Sequence, residues 1–375
     1  MAAASGTDPV AAAEAVASVV EGLVEAGFLR RPSPDPAGVE TGTDSVRSDA
    51  GYRLARDRPG TVLSPVQALL DHRLVFRSTD AGLLADINAY LGVDPCEGEP
   101  TMVFDVEPTV DGGVLLQAAE DWDFPDRDGF LVQLPGVIND FAPRAASFLV
   151  LHAGAVRHPD GTITVVAGLP EAGKSTLTAA LVQAGADYLG DELTGVRPGS
   201  LGAVGFPRSP ALDEASRQVL GLVGEATSPF VSIQDVRPGT VNVTGDAGPI
   251  TRIILPTYDP SLDPTEDGDS DEAPASAEPG ARVADGDDQA DPAADGGQDD
   301  LGAPAAVDIW SVPPVVETLT PRQALESLLG ATLNLHTSAQ VGWQTLCQLA
   351  EQVPVVAVRH NDSVALAQAL TTNQI

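Results

Sequence analysis

The strongest chemical signal in this chain is a run of eight residues: Gly168, Leu169, Pro170, Glu171, Ala172, Gly173, Lys174 and Ser175, with Thr176 next. Two glycines five positions apart, followed by a lysine and a hydroxyl residue, suit a loop that wraps a phosphate chain. The glycines let backbone N–H groups turn inward without a Cβ in the way, and a following helix presents its positive end to the anion. On this reading Lys174 reaches the β- and γ-phosphates of a nucleoside triphosphate, and the Ser175 hydroxyl ligates Mg2+. Pro170 withdraws one N–H from the cradle. Glu171 is expected to face solvent, because it would otherwise repel the phosphates.

A second feature, Gly190-Asp191-Glu192, begins fifteen residues beyond Ser175. It ends an apolar stretch that should be the next strand. A carboxylate there can hold the metal through water or take a proton from an incoming hydroxyl, and Asp191 is expected in both roles. The competing reading is an acidic pair that closes a strand end.

The basic residues number 20, and 19 of them are arginine. The single lysine is Lys174. A compact ammonium on a flexible stem is what the loop requires, and arginine's planar fork would not replace it.

The elements that must position these groups can be read from the pattern of apolar residues. The runs at 148–156 and 162–168 are continuous and rich in β-branched residues, as in strands buried on both faces. The second runs directly into the glycine loop. Residues 175–185 then have helical spacing, and the DYLGDEL stretch at 187–193 reads as one more buried strand. Strand, glycine loop, helix, strand is the context in which such a loop binds phosphate. Upstream, strands are expected at 74–79, 101–106 and 113–118, with helices at 81–91 and 135–146. Residues 8–29 read as a helix capped by Asp8, and 32–60 as a linker rich in Pro, Gly, Asp and Ser. Downstream, helices are expected at 321–336 and 338–352, then a strand at 353–360 and a short helix from Asp362.

Residues 257–305 interrupt this order. From Asp259 to Asp300 there are fifteen acids against one base, Arg282. Almost free of large apolar side chains, this stretch is expected to be a disordered, solvated insertion. The fold class that follows is α/β. A helix and linker occupy 1–60 and a small α+β subdomain 61–146. The domain carrying the loop occupies 147–375, with the insertion inside it.

Composition excludes several functions. A formal net charge of -34 is incompatible with tracking along nucleic acid and with an anionic membrane surface. No apolar run reaches the roughly 18 residues of a membrane span, and no signal peptide opens the chain, so a cytoplasmic location is expected. Cys96 and Cys347 lie far apart and show no zinc or disulfide spacing.

LHAGAV at 151–156, GLPEAGKSTLTAALVQAG at 168–185, YLGDEL at 188–193 and FPRSPAL at 206–212 together resemble the HPr kinase superfamily, most of all its small HPr-kinase-related branch. The resemblance implies a P-loop domain akin to the C-terminal domain of phosphoenolpyruvate carboxykinase, and ATP with Mg2+ as cofactors. It implies transfer of phosphate from ATP to a hydroxyl, typically a serine, of a protein or peptide. His152 matches the family's histidine before the loop strand, and Asp191 its catalytic aspartate. Glu192 stands where HPr kinase has a second aspartate, and Arg208 matches a basic residue in a Pro-rich stretch, where it would place a donor or acceptor phosphate. The family often forms homo-oligomers. The glycine-rich, basic loop that serves the target and reverse phosphorolysis in HPr kinases is not found here, which argues against HPr as substrate. The rival expectation is a catalytically silent ATP-binding regulatory or scaffold protein.

Overall fold

The computed structural model describes residues 60–117, 121–222, 230–262 and 313–372. The expected N-terminal helix, nearly all of the linker and the acidic stretch from 263 to 312 lie outside them. The described chain is a mixed α/β protein with two sheets.

The first sheet has strand order β1-β3-β4-β5-β6, with β2 paired to β3. Its strands are β1 (Val62–Leu63), β2 (Gln67–Leu69), β3 (His72–Ser78), β4 (Met102–Pro108), β5 (Val114–Gln117) and β6 (Asp121–Phe124). Helix α1 (Ala81–Leu91) connects β3 to β4, which run parallel. Asp80 caps it by accepting from the Gly82 and Leu83 N–H groups, and Gly92 ends it at φ 61°.

Helix α2 (Arg127–Ala145) starts eight residues before the expected position. Asp126 supplies its cap, accepting from the Gly129 N–H, and Pro135 and Pro143 lie within the helix rather than at its start. The backbone bonds these prolines remove are offset by burial of Phe130, Leu134, Ile138 and Phe141 against the sheet. The core they join continues through Phe148, Val150, Leu193 and Phe206, past residue 146 into the second sheet.

The second sheet has order β11-β10-β7-β8-β12-β14-β13, with β9 paired to β7. Its strands are β7 (Leu149–Arg157), β8 (Ile163–Ala167), β9 (Asp187–Gly190), β10 (Leu193–Val196), β11 (Gly202–Gly205), β12 (Asp246–Tyr258), β13 (Val315–Thr318) and β14 (Val355–His360). The first part of β12 also pairs with β11, so five strands close on themselves. Its later part lies parallel to β8 and β14, with Tyr258 opposite His360. Regular structure therefore runs beyond the expected break at residue 257, because β14 provides a ladder for the strand to follow.

Helices cover both faces of this sheet. On one, α3 (Lys174–Gln183) packs with α8 (Ser363–Thr371) over Val156, Val166 and Ile254. On the other, α6 (Pro321–Gly330) and α7 (Leu335–Gln352) cover Leu151, Val165 and Ile253. The short helices α4 (Glu214–Val219) and α5 (Ile233–Val236) lie between β11 and β12. The expected helix 321–336 is shorter than its pattern suggested. It ends at Gly330, α7 begins at Leu335, and the one irregular backbone point in α7 is Ala339, at φ 43° and ψ -123°. Asn334 occupies the junction, fully buried. Its amide donates to the carbonyls of Pro143 and Phe148, both at 2.8 Å, and accepts from the Val150 N–H at 2.8 Å. Among the described residues no helix is long and apolar enough to cross a membrane.

Candidate functional site

The glycine loop joins the end of β8 to α3. Its backbone takes positive φ at Gly168 (147°), Glu171 (64°) and Gly173 (83°), which folds 168–173 into a tight concave turn. Glu171 is exposed, as expected. Helix α3 is drawn close to the sheet where Gly154 faces Thr178, since a Cβ on Gly154 would sit 2.2 Å from the Thr178 hydroxyl. Lys174 opens α3 and is only 6% exposed. Its ammonium donates to the Leu169 carbonyl at 2.9 Å, so it folds back over its own loop. Burial lowers its pKa, and the charges of Glu192 and Asp191 work against that shift. Thr176 turns away from this group: its hydroxyl lies 2.8 Å from that of Ser216 on α4.

The stretch expected to be one strand, 187–193, is two strands broken at Asp191 and Glu192. β9 pairs with the far end of β7 and β10 with its near end. Gly190 makes the break, with φ at 151° and its Cβ position 2.6 Å from the Phe206 carbonyl oxygen. Only glycine fits, and the chain turns Asp191 inward, leaving it 1% exposed. Burial raises the Asp191 pKa to about 6, against the lowering charge of Arg208. Its Oδ1 accepts from the Tyr188 hydroxyl at 3.2 Å. Oδ2 is buried with no partner inside hydrogen-bonding distance, although the neighbouring Ser175 hydroxyl favours the charged form.

Arg208 is 3% exposed and stands on the irregular segment after β11. Its Nη2 is 3.4 Å from Glu192 Oε1, and its guanidinium lies over the Phe230 ring, 5.1 Å from the centroid. Its Nε and Nη1 are buried without partners. Glu192 Oε2 lies 3.1 Å from His152 Nε2. Burial pushes the Glu192 pKa up, but the His152 hydrogen bond and the charges of Arg208 and Lys174 outweigh it and hold the carboxyl below its usual range.

The structure therefore brings Lys174, Ser175, Asp191, Glu192, His152 and Arg208 into one linked cluster beside the glycine loop. Tyr188 and Phe230 belong to it too and were not foreseen. Tyr188 lies three residues before Asp191, which in a continuous strand would put the two side chains on opposite faces. Phe230 carries no local signal at all. A cavity of about 630 Å3 borders the loop on the α3 side, reached by Thr176, Leu212, Val219, Tyr258 and Asn361. A second, of about 800 Å3, lies on the α6 side against Leu169, Pro170, Glu317 and Glu326.

Among the described residues no group of three or more His, Cys, Asp or Glu side chains is arranged to hold a metal ion. Magnesium beside a nucleotide takes one or two protein oxygens and fills the rest of its shell with water and phosphate. The Ser175 hydroxyl and the unpartnered Asp191 Oδ2 are such oxygens.

No family model matches the chain, and no curated protein matches it. Among solved structures, the HPr(Ser) kinase/phosphatase from Coxiella burnetii aligns over 60% of this chain and 95% of its own, with 12% identity and a TM-score of 0.26. At those values the two chains share no more than a weak, fold-level likeness.

Proposed function

We propose that this protein is an ATP- and magnesium-dependent kinase that transfers the γ-phosphate to a hydroxyl, a serine of a protein or peptide. The observation that carries this reading is Asp191, a buried carboxylate with one free oxygen beside Lys174 and Ser175 at the mouth of the glycine loop. Residues 168–176 hold the triphosphate, with backbone N–H groups around the phosphates and Lys174 exchanging its Leu169 contact for phosphate oxygens. The cavity beside Thr176 is of a size to take a nucleoside. Ser175 would hold Mg2+ directly and Asp191 through a water, and the ion would neutralise charge on the phosphates. Asp191 takes the proton from the acceptor hydroxyl, whose oxygen then bonds to the γ-phosphorus as the bond to ADP breaks. Arg208 offers two unused donors for a phosphate oxygen, and Glu192 with His152 holds that arginine in place. The partition of the chain into an N-terminal subdomain and a kinase domain from residue 147 belongs to the same proposal.

The test is transfer of label from γ-labelled ATP to serine-containing peptides, with Asp191→Asn in parallel. Transfer that falls by about 100-fold or more in the variant while ATP still binds is the expected result. ATP binding with no transfer by the wild-type chain would make it a nucleotide-gated regulatory or scaffold protein. Transfer undiminished in the variant would remove Asp191 as base.

A further inference from the structure

The kink at Gly190 does more than turn a carboxylate inward. It brings the Tyr188 hydroxyl onto the same side as Asp191, 3.2 Å from Oδ1, and 2.8 Å from the carbonyl of Arg208. Tyr188 is fully buried, and its backbone is pinned on both sides. Its N–H donates to Val241 at 3.0 Å, and its carbonyl accepts from Val243 at 2.8 Å. The Tyr188 backbone is therefore held by a third segment, 241–243, separate from the two groups its hydroxyl meets. Its single hydroxyl hydrogen is shared between two acceptors, the nearer being the Arg208 carbonyl, on the two segments that carry Asp191 and Arg208.

These segments touch at other points as well. A Cβ on Gly205 would lie 2.2 Å from the Leu189 carbonyl oxygen, and one on Gly190 would lie 2.6 Å from that of Phe206. The backbones of 188–191 and 205–208 run against each other, and the tyrosine hydroxyl is the polar link between them. What the link holds is a matched pair of unused groups: the free Oδ2 of Asp191 and the free Nε and Nη1 of Arg208.

We propose that Tyr188 is a positioning residue of this site, its hydroxyl tying the Asp191 carboxylate to the Arg208 backbone so that base and guanidinium keep one separation. This rests on the kinase reading above. Tyr188 touches neither nucleotide nor acceptor in it; it acts through Asp191. The simpler alternative is a core tyrosine whose hydroxyl has merely found partners.

Tyr188→Phe distinguishes the two, since it keeps the ring and removes only the link. Misplacing a reacting group by a fraction of an ångström is costly, so kcat for transfer should fall by about tenfold or more. KM for ATP should stay within about twofold, and the melting temperature should fall by no more than a few degrees, the cost of the lost hydrogen bond. In an Asp191→Asn background the same change should cost almost nothing, because the group it positions is gone. Wild-type kcat in Tyr188→Phe overturns the proposal, and so does an equal fold loss in both backgrounds. If the wild-type chain binds ATP without transferring phosphate, the kinase reading fails, and the link is read from binding instead. The Mg2+ concentration that half-saturates tight ATP binding should then rise several-fold in Tyr188→Phe, and an unchanged value overturns the link.

Discussion

His152 Nε2 and Glu192 Oε2 lie 3.1 Å apart across the antiparallel pair β7 and β10, where His152 stands opposite Leu193. This contact decides how the acidic pair divides its work. Glu192 is engaged on both oxygens, by His152 on one and Arg208 on the other, so it anchors. Asp191, next in the chain, keeps an oxygen without a partner and is the one able to receive a proton or a metal.

Lys174→Met should weaken ATP binding by about 10- to 100-fold, the worth of one charge-assisted hydrogen bond at roughly 1.5–3 kcal/mol. Titration calorimetry measures it, and the fold should survive, because the lost contact in the free protein is a single bond to the Leu169 carbonyl.

Gly190→Ala should be among the most damaging small changes in the chain. The new methyl group would meet the Phe206 carbonyl at 2.6 Å on a backbone with φ at 151°. A loss of about 3 kcal/mol or more is expected in urea unfolding. Any protein that remains folded should have Asp191 displaced and transfer reduced.

Asp191→Asn should move stability and activity in opposite directions. The folded pKa of about 6 lies above the ordinary 3.8. Between those values the folded state keeps a proton that the unfolded state has released, so stability falls as pH rises through the window, and the full penalty is present above pH 6. That span corresponds to roughly 3 kcal/mol. The asparagine variant, measured without nucleotide, should therefore be the more stable protein at pH 7.5 and lose that advantage by about pH 4. Transfer should drop by at least about 100-fold.

His158 is buried, with Nε2 2.8 Å from the Thr164 hydroxyl. Burial lowers its pKa, and the nearby Arg252 charge lowers it further. The folded protein thus resists a proton that the unfolded chain accepts below about pH 6.5, so stability should fall as pH drops through that value. Urea midpoints at pH 7.5 and 5.5 should show a smaller difference in His158→Gln than in wild type.

Asn334→Ala removes three buried hydrogen bonds that join the end of α2, the start of β7 and the start of α7. A cost of about 2–4 kcal/mol is expected from thermal unfolding, since two carbonyls and one N–H lose their partner. ATP affinity measured well below the melting temperature should be unchanged.

The loop and the elements around it were legible because their signals are local. Gly168, Gly173 and Lys174 sit at a spacing that only a short backbone segment has to honour, and β8 and α3 announce themselves by periodicity. Helix α1 was equally plain, with Asp80 and Gly92 marking both ends. Helix α2 was not, since Pro135 looked like a first turn and only packing reveals that the helix tolerates it. The break in 187–193 was hidden for a similar reason. An apolar run reads as one strand until a neighbour, here the Phe206 backbone, forces a kink at its glycine.

Residue types and local spacing by themselves determined a glycine loop after a buried strand, a single lysine inside it, and an acidic pair one element later. The tertiary structure alone decided that Asp191 rather than Glu192 holds the free oxygen, that Tyr188 and Arg208 stand beside Asp191, and that Phe230 backs the Arg208 guanidinium. The reason is physical: a loop turn is built from neighbours in sequence, whereas the charge at Asp191 is set by burial, by Arg208 on the segment after β11 and by Ser175 at the start of α3, which only folding brings close to it.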